Sequence, residues 1–165
     1  ILGLGRIGLA IAERAQGFKM NIGYHNRKTV ADVAHDYFDS VVALAQWADC
    51  LIVACPGGAA TEHLVNAAVL QALGEHGLLI NIARGSVVDE AALLAALEAG
   101  HIAGAALDVF EREPHIPSLL LQSEKVVLTP HIGSATRETR LDMDDLLLQN
   151  VAAFVQDGRL LTEVC

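Results

Sequence analysis

The sequence predicts an α/β fold in which a parallel sheet carries helices on both faces, the arrangement called doubly wound. Short apolar stretches alternate with longer segments of helical composition along most of the 165 residues. Strands that alternate with helices in this way form parallel sheets that are buried on both faces. A glycine-rich turn, Gly3-x-Gly5-x-x-Gly8, lies between the first apolar stretch and the first helix. These two observations predict one α/β domain over residues 1–165.

Each element of the predicted fold depends on a local signal. The residues before Gly3 have the composition of a buried strand, and the segment after Gly8 is rich in Ala, Ile, Glu and Arg, as helices are, until Gly17 ends it. Further strands are short apolar runs bounded by turn residues. The predicted helices are 9–16, 41–48, 66–73, 90–99 and about 135–155, and the predicted strands are 20–24, 50–55, 78–82, 103–107 and 126–128.

The charge and hydropathy of the chain exclude several kinds of partner. The chain has 20 acidic and 11 basic residues, for a net charge of −9, and such a charge repels a polyphosphate backbone. Although 53% of the residues are hydrophobic, the apolar runs are far shorter than the roughly 20 residues that cross a bilayer. We therefore expect a soluble protein with no nucleic-acid or membrane partner, in which local geometry must bind any anion.

The cysteines indicate a compartment. Cys50, Cys55 and Cys165 are an odd set without metal-ligand spacing, and no segment typical of a secretory leader opens the chain. Unpaired cysteines of this kind favour a reducing environment. The sequence therefore predicts a cytoplasmic protein without a metal site.

The glycine turn is a candidate dinucleotide-binding site. Its glycines allow a tight turn, a close approach of the backbone to a pyrophosphate, and close packing of helix on strand. The N-terminus of the following helix supplies free N–H groups and a partial positive charge for the phosphates. A turn of this kind in a β-α-β unit is typical of the Rossmann-type fold. We expect the cofactor to be contacted by Gly3, Gly5, Arg6, Ile7 and Gly8.

The end of the second strand predicts which nicotinamide cofactor is preferred. NAD-binding versions of this turn place an acidic side chain there, about 20 residues after the glycines, to bind the ribose hydroxyls. This sequence has Tyr24-His25-Asn26-Arg27-Lys28 instead. Arg27 and Lys28 can each make charge-assisted hydrogen bonds of roughly 1.5–3 kcal/mol to a 2′-phosphate. We therefore expect residues 26–28 to bind NADP(H) in preference to NAD(H), with NAD(H) as the alternative.

Three polar clusters follow later strands, at 81–85, 106–114 and 129–134. Ligands bind beyond the carboxyl ends of parallel strands, so Arg84, Asp108, Glu113 and His131 should converge where the glycine turn holds the cofactor. With that turn, the clusters resemble the D-isomer-specific 2-hydroxyacid dehydrogenases over nearly the whole chain. Residues 24–28 and 53–58 are most similar to the NADP-dependent glyoxylate/hydroxypyruvate reductases of that family.

The resemblance implies how the chain would reduce a small 2-keto acid to the D-2-hydroxy acid. The planar guanidinium of Arg84 would bind the substrate carboxylate, and His131 would protonate the keto oxygen with Glu113 as its ionised partner. Asp108 would lie near the nicotinamide carboxamide or near Arg84. The resemblance also implies cofactor contacts from Cys55, Pro56, Thr61, Ile82, Ala83, Arg84, Asp108, His131 and Gly133.

The resemblance also predicts a larger assembly. Enzymes of this family have two domains, and residues 150–165 would lead back to a substrate domain that this chain lacks. Because catalysis needs a closed cleft between the domains, we expect the chain by itself to bind cofactor without turnover. Family members pair through this domain, so we also expect a homodimer.

Other functions stay open on the sequence alone. An NAD-linked phosphoglycerate or D-lactate dehydrogenase would fit the later clusters, but the missing acid after Tyr24 argues against it. A non-catalytic nucleotide-sensing module, similar to the family's transcriptional co-repressors, would not require Arg84, Glu113 and His131. A Rossmann domain of another dehydrogenase class would explain the glycine turn but not the three later clusters.

Overall fold

The structure of this chain is a computed structural model that describes residues 1–163. The chain divides into two compact units, residues 1–131 and residues 132–165. The first unit contains every strand that the structure describes and five of the α-helices, and the second contains one long helix.

Short parallel strands form the centre of the first unit. They are β1 (Gly23–Tyr24), β2 (Asp36–Tyr37), β3 (Cys50–Val53), β4 (Leu78–Asn81), β5 (Gly104–Leu107) and β6 (Val126–Leu128). β1 pairs with β2, and the other four form a sheet in the order β3-β4-β5-β6, with every pair parallel.

Leu2 connects the two sheets. It pairs in parallel with His25 on one side and with Val53 on the other. Its amide donates to the Ile52 carbonyl at 2.8 Å, and its carbonyl accepts from the Ala54 amide at 2.8 Å. The order across the molecule is therefore β2-β1-Leu2-β3-β4-β5-β6, and the chain winds outward from Leu2 first in one direction and then in the other. This order confirms the predicted doubly wound, Rossmann-type parallel sheet.

The helices of the first unit are α1 (Arg6–Gly17), α2 (Val41–Trp47), α3 (Ala67–Leu73), α4 (Glu90–Glu98) and α5 (Ser118–Gln122), and the second unit contains α6 (Arg137–Asp157). Side-chain oxygens accept from free first-turn amides at the start of α2, α3, α4 and α6, and the capping residues are Ser40, Asn66, Asp89 and Thr136. None of the helices within residues 1–163 is long and apolar enough to cross a membrane.

Two hydrophobic clusters hold the helices on the sheet. In the larger cluster, Leu44, Leu70, Leu79 and Leu93 are at most 1% exposed, and burying a leucine of this kind contributes about 1.5–3 kcal/mol. The smaller cluster packs α1 against the start of the sheet through Ile1, Leu4, Ala12 and Tyr24. The glycine turn therefore lies between well-packed elements.

The structure differs from the predicted elements mainly at their ends. The predicted strand 20–24 is reduced to β1, because Lys19 has a φ of +61° and Met20 is half exposed. α1 starts at Arg6 instead of residue 9, because the last part of the glycine motif is already helical. β2 and α5 were not predicted, since two and five residues are too few to show a period.

Candidate active site

A cleft of about 760 Å³ lies in the first unit, beyond the carboxyl ends of the strands. Its walls come from the first turn of α1 and from the loops that follow β3, β4, β5 and β6. The sequence-predicted residues that line it are Ile7, Cys55, Pro56, Ile82, Ala83, Arg84, Glu113 and His131. The cleft therefore brings together all three side chains that the resemblance assigns to catalysis.

His131 and Glu113 form a hydrogen-bonded pair in this cleft. The Nδ1 atom of His131 lies 2.7 Å from Oε2 of Glu113, and Oε1 of Glu113 accepts from the Phe110 amide at 3.0 Å. The hydrogen bonds from His131 and from Phe110 lower the pKa of Glu113, with a smaller contribution from the charge of Arg84. Both oxygens of an ionised carboxylate are thus engaged, and Nε2 is the ring nitrogen that can face a ligand.

The backbone of His131 adopts an unusual conformation. Its φ is +52°, a left-handed value that few non-glycine residues adopt and that costs about 1–2 kcal/mol. Its amide donates to the Thr129 carbonyl at 3.1 Å. Strain of this kind is retained where the surroundings hold it and is frequent at active sites, so the conformation supports a functional role for this side chain.

Arg84 lies on a loop that is fixed by the buried side-chain amide of Asn81. The Asn81 side chain, in a residue 1% exposed, accepts from the Ala83 amide at 3.0 Å and donates to the Arg84 carbonyl at 3.1 Å. One guanidinium nitrogen, Nη1, donates to the Ala83 carbonyl at 2.6 Å. A guanidinium has five N–H donors, so most of its capacity remains for an anionic ligand.

Asp108 lies at the carboxyl ends of the central strands. The residue is 9% exposed and is not among those that line the cleft. Its Oδ1 accepts from the hydroxyl of Thr129 at 2.5 Å, and its amide donates to the Asn81 carbonyl at 3.0 Å. It therefore joins the ends of β4, β5 and β6, and a role toward the nicotinamide stays a prediction.

The glycine turn has the geometry of a tight backbone crossing. Gly3 has a φ of +100°, and a Cβ there would lie 2.5 Å from the Cys55 backbone. At Gly5 an added Cβ would meet nothing within 4 Å. Oδ1 of Asn26 accepts from the Leu4 amide at 2.7 Å, so this side chain supports the turn. A contact between Asn26 and the cofactor stays a prediction.

The remaining predicted residues lie outside the lining of the cleft. Arg27 and Lys28 are exposed just after β1, and Arg6 is exposed in the first turn of α1. Thr61 acts within its own loop, where its hydroxyl donates to the carbonyls of Pro56 at 2.8 Å and Gly58 at 3.1 Å. Gly8 is buried in α1. Gly133 belongs to the second unit, so its predicted contact with the cofactor stays a prediction.

Several lining residues were not predicted from the sequence, namely Ala54, Gly57, Gly58, Gly85, Ser86, Phe110 and Glu111. Their position directly after strands was the available signal. Glu111 also pairs with a histidine that the sequence did not distinguish from the others, since Nε2 of His63 lies 3.0 Å from Oε1 of Glu111. The cleft thus has two His–Glu pairs beside it.

Comparison with known proteins identifies the fold and its relatives. Residues 1–133 match the family described as D-isomer specific 2-hydroxyacid dehydrogenase, NAD binding domain. The chain is 52% identical over 164 residues to glyoxylate/hydroxypyruvate reductase A of Arabidopsis thaliana, covering 99% of this chain and 52% of the relative. It is 51% identical over 164 residues to hydroxyphenylpyruvate reductase of Plectranthus scutellarioides, with the same coverage of both chains.

A solved structure is similar over the same region. It is the NADPH-dependent glyoxylate/hydroxypyruvate reductase of Sinorhizobium meliloti in complex with NADP and malonate, with a TM-score of 0.97 and 50% identity. The match covers 99% of this chain and 52% of that one. The chain thus spans about half the length of the curated relatives it matches.

Proposed function

The chain belongs to the D-isomer specific 2-hydroxyacid dehydrogenases, matching the NAD-binding domain of that family, and on this premise we propose that it serves NADPH-dependent reduction of a small 2-keto acid. The proposed product is the D-2-hydroxy acid, and glyoxylate and hydroxypyruvate are the proposed substrates. The observation that carries the proposal is the hydrogen-bonded pair of His131 and Glu113 in one cleft with Arg84.

These three side chains supply the polar requirements of the reaction. The keto acid needs an anchor for its carboxylate, and the guanidinium of Arg84 offers a planar, permanently charged fork. As hydride reaches the keto carbon, negative charge develops on the keto oxygen, and His131 donates the proton that neutralises it. Glu113, held ionised by its two hydrogen bonds, keeps the ring oriented so that Nε2 faces the cleft.

The first turn of α1 fits the pyrophosphate of a dinucleotide. Four other helices are capped by side chains, but α1 begins after Gly5, which has no side chain to occupy its amides. The open space at Gly5 leaves room for an anion at this helix N-terminus. When bound there, the nicotinamide cofactor would supply the hydride, and the residues that would hold it are Gly3, Gly5, Arg6 and Ile7.

The preference for NADP(H) rests on the end of β1. No acidic residue stands in the segment 24–28 to repel a 2′-phosphate, and Arg27 and Lys28 are exposed there. Asn26 is engaged with the Leu4 amide, so it fixes the distance between this segment and the glycine turn. The relative from Sinorhizobium meliloti, 50% identical, holds NADP, which supports the same assignment here.

A titration of the purified protein with NADPH and, separately, with NADH tests the cofactor proposal. We expect NADPH to bind at least about tenfold more tightly, and Arg27→Ala to remove most of that difference. Arg159→Ala, which changes an exposed arginine of the second unit, is the matched control and should leave both affinities unchanged. Equal binding of the two cofactors would favour an NAD-linked relative instead.

Two further proposals concern the state of the protein. We propose a homodimer, and the exposed apolar side chains of α6, which include Leu147, Leu148 and Val155, offer area for such an interface. Light scattering at two protein concentrations would measure the molecular mass.

We also propose a cytoplasmic location. Cys50 and Cys55 are both free thiols, as a reducing compartment would keep them.

A further inference from the structure

Arg84 is packed against a residue without a side chain. A Cβ added to Gly57 would lie 2.6 Å from Cγ and 2.9 Å from Cβ of Arg84, well inside the ordinary contact distance of carbon atoms. The backbone of Gly57 is not in the left-handed region. Glycine is therefore required here for the space that Arg84 occupies and not for the conformation of the chain.

The backbone around Arg84 has little freedom to relieve such a contact. Asn81 binds the Arg84 carbonyl at 3.1 Å. The next residue, Gly85, lies so close to Phe110 that an added Cβ would meet the Phe110 carbonyl group at 1.9 Å. The segment 83–85 is thus held from two sides, by the end of β4 and by the loop that follows β5.

The loop that carries Gly57 is also fixed. The hydroxyl of Thr61 donates to the carbonyls of Pro56 and Gly58, at 2.8 and 3.1 Å, and the Thr61 amide donates to the Gly58 carbonyl at 2.9 Å. These bonds close the loop on both sides of Gly57. A methyl group at position 57 would therefore displace the side chain of Arg84 more readily than either backbone.

We infer that Gly57 is a positioning residue for Arg84: the missing side chain at 57 sets the direction in which the guanidinium extends into the cleft. This inference rests on the proposed function, in which Arg84 binds the substrate carboxylate. Displacement of the guanidinium by about 1 Å lowers the catalytic efficiency toward the bound carboxylate by on the order of 10- to 100-fold. Gly57 thereby controls substrate capture without contacting the reacting atoms.

Gly57→Ala in the intact enzyme tests the inference through initial-rate kinetics. We expect the KM for glyoxylate and the inhibition constant of oxamate to rise by roughly tenfold or more, while the dissociation constant of NADPH changes by less than about twofold. Gly17→Ala is the matched control, because Gly17 ends α1 and an added Cβ meets nothing within 4 Å. It should leave every constant unchanged.

A double-mutant cycle separates positioning from a general structural effect. In the Arg84→Ala background, Gly57→Ala should change the KM for glyoxylate by less than about twofold, since a residue that acts through Arg84 has no target left. An equal fold-change in both backgrounds would overturn the inference. The inference would also be overturned if Gly57→Ala had the same kinetic constants as Gly17→Ala while Arg84→Ala was strongly impaired.

Failure of the proposed function gives a different result. If Arg84→Ala leaves turnover and oxamate inhibition unchanged, Arg84 is not the anchor and the proposed function is wrong. If Gly57→Ala alone does not fold, the double variant Gly57→Ala/Arg84→Gly carries the test, because it lacks both the Cγ and the Cβ atoms with which the new methyl group collides. The double variant should then fold, and its failure to fold would overturn the inference.

Discussion

The two His–Glu pairs beside the cleft resemble each other in geometry but differ in the charged groups around them. Glu113 and Glu111, two residues apart on the loop after β5, bind His131 at 2.7 Å and His63 at 3.0 Å. In the first pair the pKa of the carboxyl group, Glu113, is lowered. In the second pair the pKa of the imidazole, His63, is raised by its hydrogen bond to Glu111.

The charged and hydrogen-bonding neighbours of the two pairs are different. Glu113 receives a second hydrogen bond from Phe110 and lies near the positive charge of Arg84. His63 lies among acids, since Asp89 and Glu62 add to the effect of Glu111 on its pKa. The surroundings of the first pair therefore suit an anionic substrate, whereas the acidic residues around the second pair would repel an anionic substrate. The same two side-chain types thus acquire different uses from the loops around them.

The substitutions that should distinguish the two pairs most clearly are Glu113→Gln and Glu111→Gln. We expect Glu113→Gln to lower kcat/KM for glyoxylate in the intact enzyme by roughly 100-fold or more, because the proton donor loses its ionised partner. Glu111→Gln, the matched change in the other pair, should lower it by less than about threefold. Steady-state kinetics at neutral pH measures both. Equal losses would mean that the two pairs are functionally alike.

Gly85→Ala should disturb both pairs together. Its new methyl group would collide with the Phe110 carbonyl group and shift the loop that carries Glu111 and Glu113. Overpacking of this kind lowers the free energy of unfolding by about 1–3 kcal/mol, as urea denaturation can measure. Gly17→Ala should instead raise it slightly, by about 0.4–1 kcal/mol. If Gly85→Ala were as stable as the control, this loop would be able to shift without a loss in the free energy of unfolding.

His63→Gln should have the smallest effect, and one that depends on pH. Because the pKa of His63 is raised from 6.5, the stabilisation by the pair is fully present below pH 6.5 and is lost as the pH rises through the folded-state pKa. The difference in Tm from the parent should therefore be largest near about pH 6 and vanish near about pH 9. A difference in Tm that does not change with pH would contradict this assignment.

The Glu113 pair has the opposite dependence on pH. The folded-state pKa of Glu113 is lowered from 4.5, so its contribution is present above pH 4.5 and is lost as the pH falls through the folded-state pKa. Glu113→Gln should accordingly remove an acid-side loss of stability that His63→Gln leaves intact. Thermal unfolding of the two variants from about pH 3 to about pH 9 compares both limbs directly.

Much of the fold and part of the site could be predicted because their signals are local. Apolar runs and glycines place β3 to β6 within one or two residues, and Arg84, Glu113 and His131 line one cleft because each follows a strand of a parallel sheet. β2 and α5 escaped prediction because each is too short to show a period. The engagement of Asn26 with Leu4 also escaped, since it depends on a contact across 22 positions of the chain.

The sequence by itself determined the alternation of strands and helices, the glycine turn at the start of α1, and the charges that follow each strand. These features follow from backbone preference and hydrophobic period, which act over a few residues. Only the tertiary structure decided that His63 meets Glu111 and that Arg84 packs on Gly57. Both contacts join loops that are distant along the chain, and the order of strands in the sheet brings those loops together.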